Sequence, residues 1–286
     1  FVKTPFYRVL NTLDIQGNNV EAEWRAVEGS VYFQSPKLYK ENGFKVREDA
    51  EKLIEGLTDG KPAGTWQSRL ESIEKRKEKK NPPLLYNLAE LQNDCSRLFK
   101  ISPDQTLQVV QELYEKKLVT YPRTDARVLS SAVAKEIHKN LAGLKNIPSV
   151  KAYAEAILEK GSYKNIAKTR YVNDKQITDH YAIIPTGQGM SAIRSLNETA
   201  LYVYEAVVRR FLGIFCPPAV YQKISLTVSM AGQGNSREKF FASFKLLIEP
   251  GYLKVMEYSF QKKKDSEHAK DKDNLLDETE FNKKTE

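Results

Sequence analysis

Apolar and polar positions alternate with a period of two near the start of the chain and again near its end, and with a helical period between. Val20, Ala22, Trp24 and Ala26 interleave with Glu21, Glu23 and Arg25, the pattern of a half-buried strand. Phe6, Tyr7, Val9, Leu10, Leu13 and Ile15 precede them, and Gly17-Asn18-Asn19 separates the two runs, so the spacing predicts a hairpin. A short helix is expected over Asp49–Glu55, ending at Gly56. The stretch from Thr65 to Lys79 is rich in charge, and every residue from Lys75 to Lys80 except Glu78 is basic. Such a run is read as a solvated face, with a basic strand lining a groove as the alternative.

The pattern changes at Asn81-Pro82-Pro83. Asn87 is placed to cap a helix, with Glu90 completing a capping box, and Leu88, Leu91, Cys95, Leu98 and Phe99 form its apolar stripe. Ser102-Pro103-Asp104-Gln105 starts a second helix with a hydroxyl cap, an N1 proline and an acid at the positive end. Leu107, Val110, Leu113 and Tyr114 are expected on its buried face. A helical pair followed by the β-rich Leu118–Tyr121 suggests a winged-helix element. Asn197 caps a further helix with Leu201, Tyr204, Val208, Phe211, Leu212 and Phe215 on one side, stopped at Cys216-Pro217-Pro218. Strands are expected over 221–229 and 240–249, around a turn at 232–235.

The order β, α, β predicts an α+β chain: an α domain inserted into a β domain whose halves are separated in sequence. The expected divisions are 1–81 and 218–258 for the β-rich domain, 82–217 for the helical domain, and 259–286 for a charged linker. Hydrophobic residues make up 41% of the 286, enough for a packed core, and no apolar run is long enough to span a bilayer. Two cysteines, Cys95 and Cys216, exclude a disulfide scaffold and fit a reducing compartment. A net charge of +8 permits a polyanionic partner. The chain begins at Phe1 without a methionine or a targeting segment, as expected of part of a longer protein.

No phosphate-cradling glycine loop, His-Glu-x-x-His motif or metal-ligand cluster is evident. Two segments stand out. In Thr120-Tyr121-Pro122-Arg123-Thr124-Asp125, Arg123 lies two residues past Tyr121 and shares its face on an extended chain. A phenol is a weak nucleophile that a neighbouring cation makes useful against a phosphodiester. Spacing alone leaves the other reading open, a packed tyrosine with Arg123 paired to Asp125. In Thr178-Asp179-His180-Tyr181-Ala182-Ile183-Ile184-Pro185-Thr186, the imidazole can sit over a phosphate or simply at the surface.

Together these two motifs resemble those of the type IA DNA topoisomerases, and the wording around His180 resembles the topoisomerase III branch. Pro83-Leu84, Leu88–Gln92, Leu113–Thr120 and Tyr204–Arg210 are similar to neighbouring family segments, so the resemblance reaches Tyr252. It implies a winged-helix-like helical domain inserted into the β-rich arch domain of a toroid. By the same resemblance, Tyr121 cleaves one DNA strand, leaving a 5′-phosphotyrosine and a free 3′-hydroxyl. Arg123 holds the scissile phosphate and His180 touches a phosphate nearby. Thr124, Asp125 and Thr186 lie beside the DNA. Ala126 stands where the family commonly has serine. Religation needs no ATP. The Mg2+ ligands, with a catalytic glutamate and lysine, are expected on an amino-terminal toprim domain outside this chain, so the chain alone is predicted to be inactive. The implied partner is chiefly single-stranded DNA, with no membrane association. The implied setting is a monomer in a bacterial-type cytoplasm, with nucleoid or plasmid DNA. A winged-helix module without chemistry is the alternative. A tyrosine recombinase would need more scattered arginines and the opposite strand polarity.

Overall fold

The computed structural model describes residues 4–15, 17–59 and 66–260. All but the first two residues of the expected charged linker 259–286, His268 included, and the start of the charged stretch at Thr65 lie outside the described residues. The chain divides into two compact units. One holds the residues up to Glu78 together with Tyr221–Ile248, and the other holds Lys79–Val220 with the described residues from Glu249 onward.

The first unit is built on one sheet to which both ends of the sequence contribute. Strands β1 (Leu10–Ile15) and β2 (Asn18–Arg25) pair antiparallel with Leu13 opposite Val20. A two-stranded pair, β3 (Leu38–Lys40) and β4 (Gly43–Phe44), and helix α1 (Arg47–Thr58) follow. Strand β5 (Arg69–Lys80) then forms an edge. The chain returns much later as β6 (Ala219–Ala231) and β7 (Arg237–Glu249), giving the order β1-β2-β7-β6-β5. The period-two patterns decide which faces are buried: Ala22 and Trp24 on β2, Ile224, Leu226 and Val228 on β6, and Phe240, Ala242 and Leu246 on β7 turn inward. Trp24 stacks on Phe44 at 4.9 Å, and its indole N–H donates to the buried Glu238 at 2.7 Å. The Ser30 hydroxyl and the Val31 N–H also donate to Glu238, which compensates the carboxylate for burial. Helix α1 runs through Gly56 rather than ending there. It closes at Asp59, which adopts the left-handed conformation with φ 45°. Strand β5 is exposed along almost its whole length, as the solvated-face reading requires.

The second unit is helical. Helices α2 (Leu88–Phe99), α3 (Pro103–Glu115), α4 (Ser131–Leu144), α5 (Lys151–Lys160) and α6 (Glu198–Gly213) enclose one apolar core. Ser102 caps α3 as expected, and with Gln105 it forms a complete capping box, which goes beyond that expectation. At α2 only half of the expected box exists. Asn87 accepts from the Glu90 N–H, while the Glu90 carboxylate pairs with Arg127 at 3.2 Å. Residues 249–258, expected with the β-rich domain, fold with the helices instead. The Tyr252 N–H donates to the Pro217 carbonyl, and the Arg209 guanidinium donates to that of Val255.

Beneath α2 lies an ionic cluster. Arg210 donates to Asp94 at 2.7 Å and sits 4.2 Å from the Tyr86 ring, and the Tyr86 hydroxyl donates to the same carboxylate. Burial pushes the Asp94 carboxyl upward. Hydrogen bonds from Tyr86 and Arg97 and the charge of Arg210 outweigh this and hold it below its usual value. A depressed carboxylate stabilises the fold above its unfolded pKa of about 4 and loses that contribution as pH falls through the folded value. Asp94→Asn leaves Arg210 without its carboxylate and is expected to cost about 3 kcal/mol. It should also flatten the stability of this unit against pH below about 4. Urea unfolding of both proteins between pH 3 and 7 tests both effects.

Candidate active site

Tyr121 follows directly on a short antiparallel contact that the chain makes on leaving α3. Val119 bridges Pro185, flanked by the Thr120 N–H to the Ile184 carbonyl and the Thr186 N–H to that of Leu118, both at 3.0 Å. Proline at 185 sits where no ladder N–H is needed, so its missing donor costs nothing. The segment 182–186 is bonded from other directions as well. The Ile183 N–H donates to Tyr86 and the Ala182 N–H to Val128. Ala182, Ile183, Ile184 and Pro185 are all buried. The apolar run after His180 is thus an extended rod through the core, and it presents His180 at its exposed end.

The two motifs meet there. The rings of Tyr121 and His180 lie 4.3 Å apart at 42°. Tyr114 packs edge-on against Tyr121 from the other side at 5.5 Å. Tyr114 was expected on the buried face of α3 but is exposed, and it serves as a wall of this site instead. Tyr121 is half-buried, and its hydroxyl has no hydrogen-bond partner among the described residues. Arg123 is exposed and forms no ion pair among them, so the alternative pairing with Asp125 is absent. The Asp125 side chain is exposed, and its carbonyl accepts from Asn87 at 3.1 Å. Ala126 is buried and donates its N–H to the Thr124 hydroxyl.

The Thr124 and Thr186 hydroxyls both bond to backbone. Thr124 is buried, and its hydroxyl donates to the His180 carbonyl at 2.9 Å. The Thr186 hydroxyl donates to Lys117 at 2.5 Å. Both protons are committed to the backbone. Lys117 holds φ 61°, a conformation uncommon for lysine, at the point where the chain turns from α3 toward Tyr121. Asp174, in the polar stretch before His180, receives both the N–H and the hydroxyl of Ser131 and so ties that stretch to the start of α4.

Beyond Thr186 the chain passes very close to α4. A Cβ on Gly143 would lie 2.0 Å from the Gly187 carbonyl oxygen, and Gly187 itself holds φ 77°. Gly143→Ala is expected to push this loop off the helix and cost about 1–3 kcal/mol. Gly213→Ala, where the nearest atom is Met256 Sδ at 3.8 Å, should be neutral or slightly stabilising. Thermal unfolding of the two variants, followed by circular dichroism, separates them.

Among the described residues no group of three or more His, Cys, Asp or Glu side chains could hold a metal ion, so these residues do not fit a Mg2+ site. Cys95 and Cys216 are both free. Burial raises their thiols to about 12 and about 11, which leaves them unreactive near neutral pH. No helix among the described residues is long and apolar enough to cross a membrane.

The model of the DNA topoisomerase family matches residues 1–286. A DNA topoisomerase 3 from Bacillus licheniformis is 36% identical over 222 residues, covering 76% of this chain and 28% of that protein. One from Bacillus subtilis is 31% identical over 252 residues, covering 88% of this chain and 32% of that protein. Among solved structures, full-length topoisomerase I from Thermotoga maritima is similar with a TM-score of 0.55. That likeness covers 96% of this chain and 38% of the other at 18% identity, and it speaks for the fold alone.

Proposed function

This chain belongs to the DNA topoisomerase family, on its type IA, topoisomerase III-like branch, and we propose that it carries the strand-cleaving tyrosine of such an enzyme. The chain spans about a third of the length of the relatives it matches. The activity is therefore proposed for the complete protein with this chain in place. Tyr121 is the nucleophile. Its oxygen attacks a phosphorus of single-stranded DNA in line with the 3′-oxygen. The P–O3′ bond breaks as the Tyr121–phosphate bond forms, leaving a 5′-phosphotyrosine and a free 3′-hydroxyl. Arg123 grips the phosphate with its planar fork, and His180 faces a phosphate beside the cleaved bond. The exchange conserves the phosphodiester, so religation is the reverse attack and needs no ATP. Mg2+ is assigned to residues outside those described here, and no step is drawn through it. Asp125 lies next to the DNA path, whereas Thr124 and Thr186 hold the site's framework. The setting we assign is the bacterial cytoplasm, with nucleoid or plasmid DNA as substrate.

The observation that carries this reading is the Tyr121–His180 ring contact, with an exposed, unpaired arginine two residues from the tyrosine. It brings together two groups suited to one phosphodiester from segments far apart in sequence. The test uses one oligonucleotide labelled at either end. After denaturing electrophoresis, the 3′-end label should remain on the protein and the 5′-end label should leave with the free 3′-hydroxyl fragment. Retention of the 5′ label would indicate the recombinase polarity. No covalent product with either label would favour the non-catalytic winged-helix module.

A further inference from the structure

The strand that delivers Tyr121 is fastened by side chains where an ordinary ladder would use backbone. An antiparallel hydrogen-bonded pair exchanges two N–H···O=C bonds. At Thr120 and Ile184 the first is present, from the Thr120 N–H. The return donor, the Ile184 N–H, goes to the Thr120 hydroxyl at 3.0 Å, and that hydroxyl passes its proton to the Ala182 carbonyl at 3.0 Å. The hydroxyl thus stands in for the strand's own carbonyl and lets the main chain leave the ladder one residue before Tyr121. Three residues beyond Tyr121, Thr124 repeats the device. Its hydroxyl accepts from the Ala126 N–H at 3.1 Å and donates to the His180 carbonyl. Tyr121 is therefore bracketed by two hydroxyls, each accepting once and donating once to backbone. Between them they hold residues 180, 182 and 184.

We propose that Thr120 and Thr124 are positioning residues that fix the Tyr121 phenol against the His180 imidazole, the clamp that sets the nucleophile's register. As a statement about catalysis this rests on the proposed function. As a statement about ring geometry it stands alone. Neither residue needs to touch DNA, since both protons are already spent. A displacement of about 1 Å at a reacting atom can cost about 100-fold in rate, so losing a clamp should slow chemistry without weakening substrate binding.

Two experiments test this. In the chain itself, His180 is one of only three histidines, so its imidazole C–H resonances are identified by their loss in His180→Gln. Thr124→Val should move them toward their position in Tyr121→Ala, where the neighbouring ring is gone, and Thr124→Ser should leave them near wild type. In the complete enzyme, Thr120→Val and Thr124→Val should each lower the maximal rate of covalent-adduct formation by about 10-fold or more, with KM for the oligonucleotide within about twofold. The serine variants should recover most of that rate. Unmoved His180 resonances in Thr124→Val, valine variants that cleave like wild type, or a raised KM at unchanged maximal rate would each overturn the clamp. Should Thr124→Val fail to fold, Thr120→Val with the same two readouts decides. An adduct that persists in Tyr121→Phe would instead refute the proposed function and leave the resonance result to judge the geometry.

Discussion

Tyr121→Phe is expected to abolish the covalent protein–DNA adduct in the complete enzyme while leaving single-strand binding unchanged. The substitution removes only the oxygen. The ring remains, so its contacts with His180 at 4.3 Å and Tyr114 at 5.5 Å can persist and the surrounding strands have no reason to move. The hydroxyl has no partner among the described residues, so deleting it orphans no buried group there. A nucleophile has no substitute within the step it performs, and the loss should be complete rather than graded. The check is a labelled single-stranded oligonucleotide incubated with each protein, read by denaturing gel for the adduct and by fluorescence anisotropy for binding. An adduct formed by the variant would remove Tyr121 from its role.

Arg123→Lys carries the next largest expected effect, a loss of cleavage of about 100-fold or more, on the scale of removing one transition-state donor. The charge is kept but the fork is not. An ammonium meets a phosphate as a point charge, whereas a guanidinium offers two parallel N–H donors to the equatorial oxygens. Arg123 is exposed and free of ion pairs among the described residues, so neither a broken salt bridge nor a buried vacancy competes as an explanation. His180→Ala should cost less than Arg123→Ala, because an imidazole can offer a phosphate a single N–H donor where the guanidinium offers a two-pronged fork. Single-turnover rates at saturating oligonucleotide give the ordering. A lysine variant that cleaves like wild type would mean that charge alone suffices.

Much of this architecture can be read along the chain. The alternation of Val20 to Ala26 marks a strand whose partner β7 lies some two hundred residues away, that of Ile224 to Val228 marks β6 in the same sheet, and the β-α-β order is enough to suggest that the two ends share a sheet. Tyr121 and His180 are legible because each lies in a compact word of unusual residues. Their contact is not legible, since it depends on the buried rod 182–186 passing beside Thr120. Thr120 itself carries no signal beyond a β-branched residue at a strand end, and its double hydrogen bond is a property of tertiary position. Tyr114 misleads for a related reason. Helical period groups it with Val110 and Leu113, but a tyrosine tolerates solvent at one end, and here its ring faces Tyr121. Gly56 misleads as a stop because a glycine inside a helix costs only about 1 kcal/mol, and the tertiary contacts of α1 outweigh that. Glu90 has the spacing for a capping box, yet Arg127, distant in sequence, offers a better partner.

The central claim is that the oxygen of Tyr121, and no other group, takes the DNA strand. Trypsin cleaves after Lys117 and after Arg123, so the peptide Leu118–Arg123 isolates Tyr121 as its only hydroxyl-bearing aromatic residue. The most direct measurement is mass spectrometry of the denatured adduct after nuclease and trypsin digestion. The account predicts a nucleotide attached through its 5′-phosphate to Tyr121 within that peptide. A nucleotide on any other peptide, or one joined through a 3′-phosphate, would contradict it.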